Sequence, residues 1–364
     1  MRGDNMECHR CLETDTTMFY RGHCRRCIAL PFQETRSGFV YKQDAAAFPV
    51  TLTPHQQHVS DALCKAVIYG SVFVDAVCGA GKTEVCLELI LDYLAKGLKV
   101  GWTVPRREVV LELQARLQNY FPAIKVVPVC QGFTTDLAGD LIVCTTHQLY
   151  RYYDTFDLLI VDEPDAFPYV GNVVLENLVK TACRGIHVFL SATYSMDDVQ
   201  TIQLPLRPSN TLLPVPNVMC AHLIGWRLWW DVWKVRKECV LVFVPTQALA
   251  RKISQLWRVP YMTSECEEKQ SILKAFRDKK GILVTTTVLE RGVTFLDCFV
   301  FVYRADHRVF TEASLVQIAG RAMRGMHPTK GTVNFYCQEK TDAITKCCER
   351  IKKANYDAQV VLNL

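Results

Sequence analysis

The chain has 364 residues, 49% hydrophobic and 22% charged, which allows a buried core and two or three domains and excludes a compositionally disordered protein. Its 42 basic and 37 acidic residues leave a net charge of +5 without a long block of one sign, so charge alone singles out no polyanionic partner. Apolar runs such as VLVFVP and FVFVY are far shorter than the ~20 residues that span a bilayer, and the start MRGDNMECHR is charged, so a soluble, unexported, cytoplasmic protein is expected.

Seventeen cysteines is an odd number, which suits a complete disulfide framework poorly and points to a reducing compartment. Cys64, Cys86, Cys144, Cys183 and Cys239 sit in apolar patterns and read as small buried hydrophobes. Cys8-x2-Cys11 and Cys24-x2-Cys27 differ, because two such pairs within twenty residues form a zinc-ribbon pattern. So short a segment has little apolar content to bury, whereas a structural Zn2+ supplies on the order of 10–16 kcal/mol. Metal is therefore expected to fold it, and Cys24→Ser to unfold only the first ~35 residues. Arg10, Arg21, Arg25 and Arg26 interleave with the ligands while Glu7, Glu13 and Asp15 dilute them, which suits contact with DNA phosphates and docking onto protein equally. His9 and His23 read as solvated.

After a connector around Phe39 to Pro49, LTPHQQ puts Thr53, Pro54, Gln56 and Gln57 ahead of a helix, where a glutamine amide can pair with an adenine edge. SVFVDAVCGAGKTEVCLELILDYLAKG follows as buried strand, glycine turn and amphipathic helix ended by Gly97. Gly79 and Gly81 let the backbone approach phosphate closely, Lys82 reaches the β/γ phosphates of ATP, and Thr83 holds Mg2+. TVPRREVVLELQARL and LIVCTTHQLYRYY each read as strand, polar turn and helix. In FDLLIVDEPDAFP a buried parallel strand delivers Asp162, Glu163 and Asp165 at its carboxyl end. Asp162 can hold Mg2+ and Glu163 can polarise the attacking water. Ser191-Ala192-Thr193 follows the strand HVFL.

The pattern restarts near Leu212 with a helix, the strand VLVFVP, a helix from Thr246, the strand GILVTTT and a final strand FVFVY. Trp226, Trp229, Trp230 and Trp233 share one helical face, read as core packing or lobe contact in preference to a base-stacking platform. TTTVLERGVTF presents Thr285, Thr287, Glu290, Arg291 and Gly292 at a strand end. QIAGRAMR presents Gln317, Gly320, Arg321 and Arg324; three residues apart, the two arginines would share a helical side and reach a γ-phosphate together.

In this order, LTPHQQ, AVCGAGKTE, PRREVVLEL, TTHQLYRYY, DEPDAFPY, LSAT, VFVPT, TTTVLERGVTF and LVQIAGRAMR resemble the superfamily-2 helicases, and with the cysteine pairs the ComFA family of late competence ATPases. The resemblance implies two tandem RecA-like doubly wound parallel-sheet lobes of the α/β class after a small four-cysteine zinc module, with domains at 1–40, 41–208 and 209–364. It implies a single-stranded-DNA-stimulated ATPase and translocase of the DNA-uptake machinery, peripheral at the inner face of the membrane and possible as an oligomer. A phosphoribosyltransferase-like competence protein and the recombination mediator are the implied partners. It assigns nucleotide sensing to Gln56, coupling to Ser191 and Thr193, a γ-phosphate role to Gln317, Arg321 and Arg324, and DNA-backbone contacts to Arg106, Thr146, His147 and Thr286. Three positions depart from the family pattern: Pro164 stands where an aliphatic residue is usual, Met323 where GRxGR has its second glycine, and Tyr194 where proline commonly follows S-A-T. A duplex-unwinding or RNA-directed helicase, or a zinc-dependent scaffold with a decayed ATPase, are the competing readings.

Overall fold

Apolar runs such as VFVDA and VGWTV are buried on both faces, as strands of all-parallel sheets are. The computed structural model describes residues 6–28, 50–196, 198–290, 295–325 and 330–362. The connector around Phe39–Pro49, Arg291 and Gly292 lie outside the described residues. Two units are formed: Met1–Ala76 with Gly81–Leu204, and Val77–Ala80 with Pro205–Leu364.

The first unit opens with a two-stranded hairpin, β1 (Phe19–Tyr20) and β2 (His23–Cys24). There follow α1 (Pro54–Ala66), β3 (Val72–Ala76), α2 (Lys82–Val85), α3 (Leu87–Ala95), β4 (Val100–Val104), α4 (Arg107–Tyr120), β5 (Val126–Val129) and β6 (Leu141–Thr145). A 3-10 turn Thr146–Arg151, β7 (Phe156–Asp162), α5 (Val173–Ala182), β8 (Cys183–Ser191) and β9 (Gln200–Leu204) complete it. The seven-stranded sheet has the order β5-β6-β4-β7-β8-β3-β9, with every pair parallel. All carboxyl ends therefore share one edge, which gathers the segments after β3, β7 and β8 and, beside them, those after β4 and β6.

The second unit contains β10 (Asn217–Cys220), α6 (Ile224–Lys234), β11 (Cys239–Phe243), α7 (Gln247–Trp257), β12 (Tyr261–Met262), α8 (Lys269–Lys279) and β13 (Gly281–Thr285). It ends with β14 (Cys298–Tyr303), α9 (Glu312–Ala319), β15 (Val333–Cys337) and α10 (Asp342–Leu362). Its six strands run β10-β15-β14-β11-β13-β12, again all parallel. Thr246 caps α7 by accepting from the Leu249 amide at 3.2 Å, as its place before the helix leads one to expect.

Several expectations are corrected. THQLYR forms a 3-10 turn, not an α-helix, and FVFVY is followed by the further strand β15. The helix after the phosphate loop is interrupted at Cys86, giving α2 and α3, before Gly97 adopts φ +71°. On α6 the buried stripe is aliphatic, Ile224, Leu228 and Val232, whereas Trp226 and Trp230 are 73% and 56% exposed. The narrower aliphatic side chains enter the core beside Phe301 and Tyr336. The indoles pack on each other outside, Trp229 against Trp233 at 5.7 Å, with Lys234 and Arg236 over Trp230 and Trp233. Cys86, Cys144 and Cys183 are buried thiols as expected, but Cys239 forms a disulfide with Cys298, its partner in the β11–β14 register. Among the described residues no helix is long and apolar enough to cross a membrane.

Candidate active site

The phosphate loop leaves β3 at Ala76 and enters α2 at Lys82. Gly81, at φ +88°, is the N-cap, and a Cβ there would lie 2.3 Å from Gln56 Nε2. Both the backbone angle and the space demand glycine. Gln56 is itself buried, and Thr53 and Gln56 close a capping box on α1, Thr53 N donating to Gln56 Oε1 at 3.0 Å and Gln56 N to Thr53 Oγ1 at 3.3 Å. Its amide thus faces the phosphate loop while its oxygen caps the helix.

Across the sheet edge, β7 delivers Asp162 and Glu163. Lys82 Nζ donates to Asp162 Oδ1 at 3.0 Å and to Glu163 Oε1 at 3.4 Å. The one ammonium and two largely buried carboxylates together carry a single excess negative charge, which a divalent cation entering with a phosphate would offset. Thr83, buried in the first turn of α2, and Asp162 are the oxygen donors that could hold Mg2+. Glu163 adopts φ +57°, a left-handed conformation unusual for a glutamate, fixed by its N–H donating to Leu190 O at 2.7 Å.

Asp165 has a part that the sequence alone did not disclose. Ser191 Oγ donates to its Oδ1 at 2.6 Å and Thr193 Oγ1 to its Oδ2, so one carboxylate ties the segment after β7 to the segment after β8. Tyr194 packs edge-on against Phe73 of β3.

In the second unit Gln317 is buried on α9, its Oε1 accepting from the Cys78 thiol at 3.3 Å. Gly320 has no room for a side chain, since a Cβ would lie 2.3 Å from that of Cys78. α9 ends at Ala319, so Arg321 and Arg324 lie on the turn beyond it and not on a shared helical face, which corrects the expectation from spacing. Arg321 is buried and donates through Nε to Glu290 O at 3.0 Å, while Glu290 accepts from Ser314 Oγ. Arg324 Nε donates to Gly320 O at 2.7 Å. Met323 adopts φ +53°, the conformation for which a glycine is suited, so its methionine carries a backbone cost at that turn. Arg207, which no sequence signal had singled out beyond its place among buried leucines, is 3% exposed here.

Arg106 is the N-cap of α4, beside the start of the 3-10 turn because Val104 and Thr145 are register partners on β4 and β6. Thr146 is buried, its hydroxyl accepting from Thr103 Oγ1 at 3.2 Å, whereas His147 is exposed. Thr286 is half-buried at the end of β13.

The four amino-terminal cysteines form a separate centre. All four sulfurs lie within 4.8 Å of one another, with Cys8–Cys27 and Cys11–Cys24 separations of 3.7 Å. A tetrahedron of Zn–S bonds of about 2.3 Å has edges of about 3.8 Å, so the donor set fits zinc. Burial pushes the Cys11 thiol up to about 12 and that of Cys27 in the same direction; a bound cation would reverse this by stabilising thiolates. His9 and His23 are exposed and outside the cluster. Arg21 and Arg25 stack on Tyr20, and Arg26 pairs with Glu13 at 2.7 Å. The module docks on α5, where Asn177 Nδ2 donates to Cys11 O at 3.2 Å and Thr181 Oγ1 to Arg10 O.

The chain is similar to known proteins. Residues 53–202 match the DEAD/DEAH box helicase family and residues 219–326 the helicase conserved C-terminal domain. Competence protein ComFA of Streptococcus pneumoniae is 32% identical over 393 residues, covering 96% of this chain and 90% of that protein. The chain belongs to the ComFA family. ComFA of Bacillus subtilis is 30% identical over 401 residues, with 96% and 85% covered. S. cerevisiae Dbp5 bound to RNA and ADP BeF3 superposes with a TM-score of 0.60 at 15% identity, covering 84% of this ComFA-family chain and 92% of Dbp5, a likeness of fold. The ComFA-family chain is an ATP-hydrolysing helicase-type enzyme with two RecA-like lobes.

Proposed function

We propose that the enzyme is a single-stranded-DNA-stimulated ATPase and translocase of the DNA-uptake machinery of natural transformation. The observation that carries it is the Lys82 ammonium held at 3.0 and 3.4 Å by Asp162 and Glu163, in a chain that aligns with ComFA proteins over 96% of its length. Lys82 with the amides of Gly79 and Gly81 binds the phosphates, Thr83 and Asp162 hold Mg2+, and Gln56 senses the base. Mg2+, when bound, neutralises phosphate charge. Glu163 orients water and accepts its proton, and Gln317, Arg321 and Arg324 stabilise charge on the γ-phosphate. Arg106, Thr146, His147 and Thr286 follow the DNA backbone, Thr146 through its main chain because its side chain is buried. The functional domains on this reading are 1–40, 41–208 and 209–364. Zn2+ on Cys8, Cys11, Cys24 and Cys27 is structural. A phosphoribosyltransferase-like competence protein, the recombination mediator and a peripheral place at the membrane complete the reading, all taken from the family.

ATP turnover measured alone and with single-stranded DNA, duplex DNA or RNA tests it. Single-stranded DNA stimulates most, and Glu163→Gln lowers kcat on the order of 10²-fold or more while nucleotide still binds. Stimulation by RNA far above that by single-stranded DNA would replace the reading with an RNA-directed helicase. Turnover unchanged in Lys82→Ala would leave only a scaffold.

A further inference from the structure

Arg207 follows β9 in the run Leu206-Arg207-Pro208 and is almost wholly buried. Its guanidinium donates four hydrogen bonds, every one to a backbone carbonyl of the second unit. Nε reaches Cys78 O at 2.9 Å, Nη1 reaches Ala322 O at 3.1 Å and Met323 O at 2.8 Å, and Nη2 reaches Gly320 O at 3.1 Å. Among the described residues no carboxylate pairs with it. Burial, and then the charge of Arg324, pull its pKa down to about 10, so it stays charged at neutral pH.

A buried cation without a counter-ion is costly to keep, yet this one sits where carbonyls converge. Gly320, Ala322 and Met323 lie just past the carboxyl end of α9, where the helix dipole is negative and main-chain carbonyls lack helical partners. Three of the four carbonyls belong to the same five-residue stretch as Arg321 and Arg324. When these carbonyls turn inward to one guanidinium, the peptide planes of the turn are set, and with them the directions in which the intervening side chains leave it. Met323, held at φ +53° against its own preference, is the residue whose carbonyl makes the shortest of these bonds.

We propose that Arg207 is a positioning residue: by gathering the carbonyls of Gly320, Ala322 and Met323, it fixes the turn from which Arg321 and Arg324 act. The inference rests on the γ-phosphate roles proposed above for those two arginines. The planar fork of an arginine is required, because the three donors of a lysine radiate from one nitrogen and cannot span four carbonyls spread over its whole edge.

The test is a double-mutant cycle on ATP turnover with Arg207→Lys, Arg321→Ala and their combination, each matched to wild type by its urea unfolding curve. Arg207→Lys is expected to lower kcat roughly 10- to 100-fold with KM for ATP within about threefold, since a small misplacement of a charge-stabilising group acts on the transition state. In the Arg321→Ala background the same substitution is expected to add less than about threefold. A fully multiplicative loss, or an Arg207→Lys protein with wild-type kcat, overturns the proposal. If Arg321→Ala alone leaves turnover intact, the γ-phosphate reading fails instead, whatever Arg207 does. Should Arg207→Lys fail to fold, Arg207→Gln, which keeps two donors without the buried charge, takes its place in the same cycle; kcat per folded molecule equal to wild type in that variant also overturns it.

Discussion

Asp165 accepts from the hydroxyls of both Ser191 and Thr193, and Ser191 Oγ in turn accepts from the Thr193 amide at 3.0 Å. Hydrogen bonds to a carboxylate contribute more than neutral ones, and removing the acceptor strands two partly buried donors. Asp165→Ala is therefore expected to cost about 2 kcal/mol in urea unfolding of the first unit. Asp165→Asn, which keeps one acceptor, should cost about half as much. The same tie joins the segment carrying Glu163 to the one carrying Ser191, so Asp165→Ala should also reduce stimulation by single-stranded DNA more than basal turnover. Equal loss of both would reduce Asp165 to a structural role. The carboxylate stood in plain view in D-E-P-D, but its partners are brought to it by strand order, and no sequence spacing encodes that.

At the scale of elements, what was legible is what burial on both faces makes legible. β3, β4, β6, β7, β11, β13 and β14 are continuous apolar runs because helices or loops cover a parallel sheet on both sides. β5, the short apolar run VVPV, carries Pro128, and β9 is the polar QTIQL; both are edge strands, where one ladder face needs no partner, so a proline is tolerated in the first and the apolar signal fades in the second. QIAGRAMR invited an extension of helical spacing past Ala319, yet Gly320 and a left-handed Met323 turn the chain away. That Lys82, Asp162 and Glu163 come together at one sheet edge was legible, because each follows a buried parallel strand whose carboxyl end lies there; Arg207 was not, since its partners are carbonyls that any residue supplies. α6 shows how an apolar count misleads, for its four tryptophans outweigh its aliphatic stripe in hydrophobicity but not in fit. Leu228→Ala is expected to destabilise the second unit by about 2–4 kcal/mol, and Trp226→Ser by less than about 0.5 kcal/mol, both read from urea midpoints. A Trp226→Ser loss as large as that of Leu228→Ala would put the indole face in the core after all.

At the scale of the whole molecule, the cysteine module is a part of the first unit and not an appendage to it. Cys8, Cys11, Cys24 and Cys27 share one apolar cluster with Leu149 and Tyr152 of the 3-10 turn region and with Leu175, Leu178 and Val179 of α5. This changes the outcome expected of Cys24→Ser from the sequence, where the metal was to hold only its own segment. A tetrahedral thiolate site that loses one ligand loses most of its metal affinity, and the binding free energy of such a site is folding free energy. Once residues 6–28 are released, the outer face of α5 and the turn bearing Thr146 and His147 lose their cover, together with the hydrogen bonds from Asn177 and Thr181. Cys24→Ser, or metal removal by a chelator, is thus expected to lower the stability of the first unit by about 2–4 kcal/mol. Amide exchange should rise along Val173–Ala182 and Thr146–Arg151 and stay unchanged in β11 and β13. If exchange rises only within residues 6–28, the module stands alone and its docking contributes nothing to the sheet beneath it.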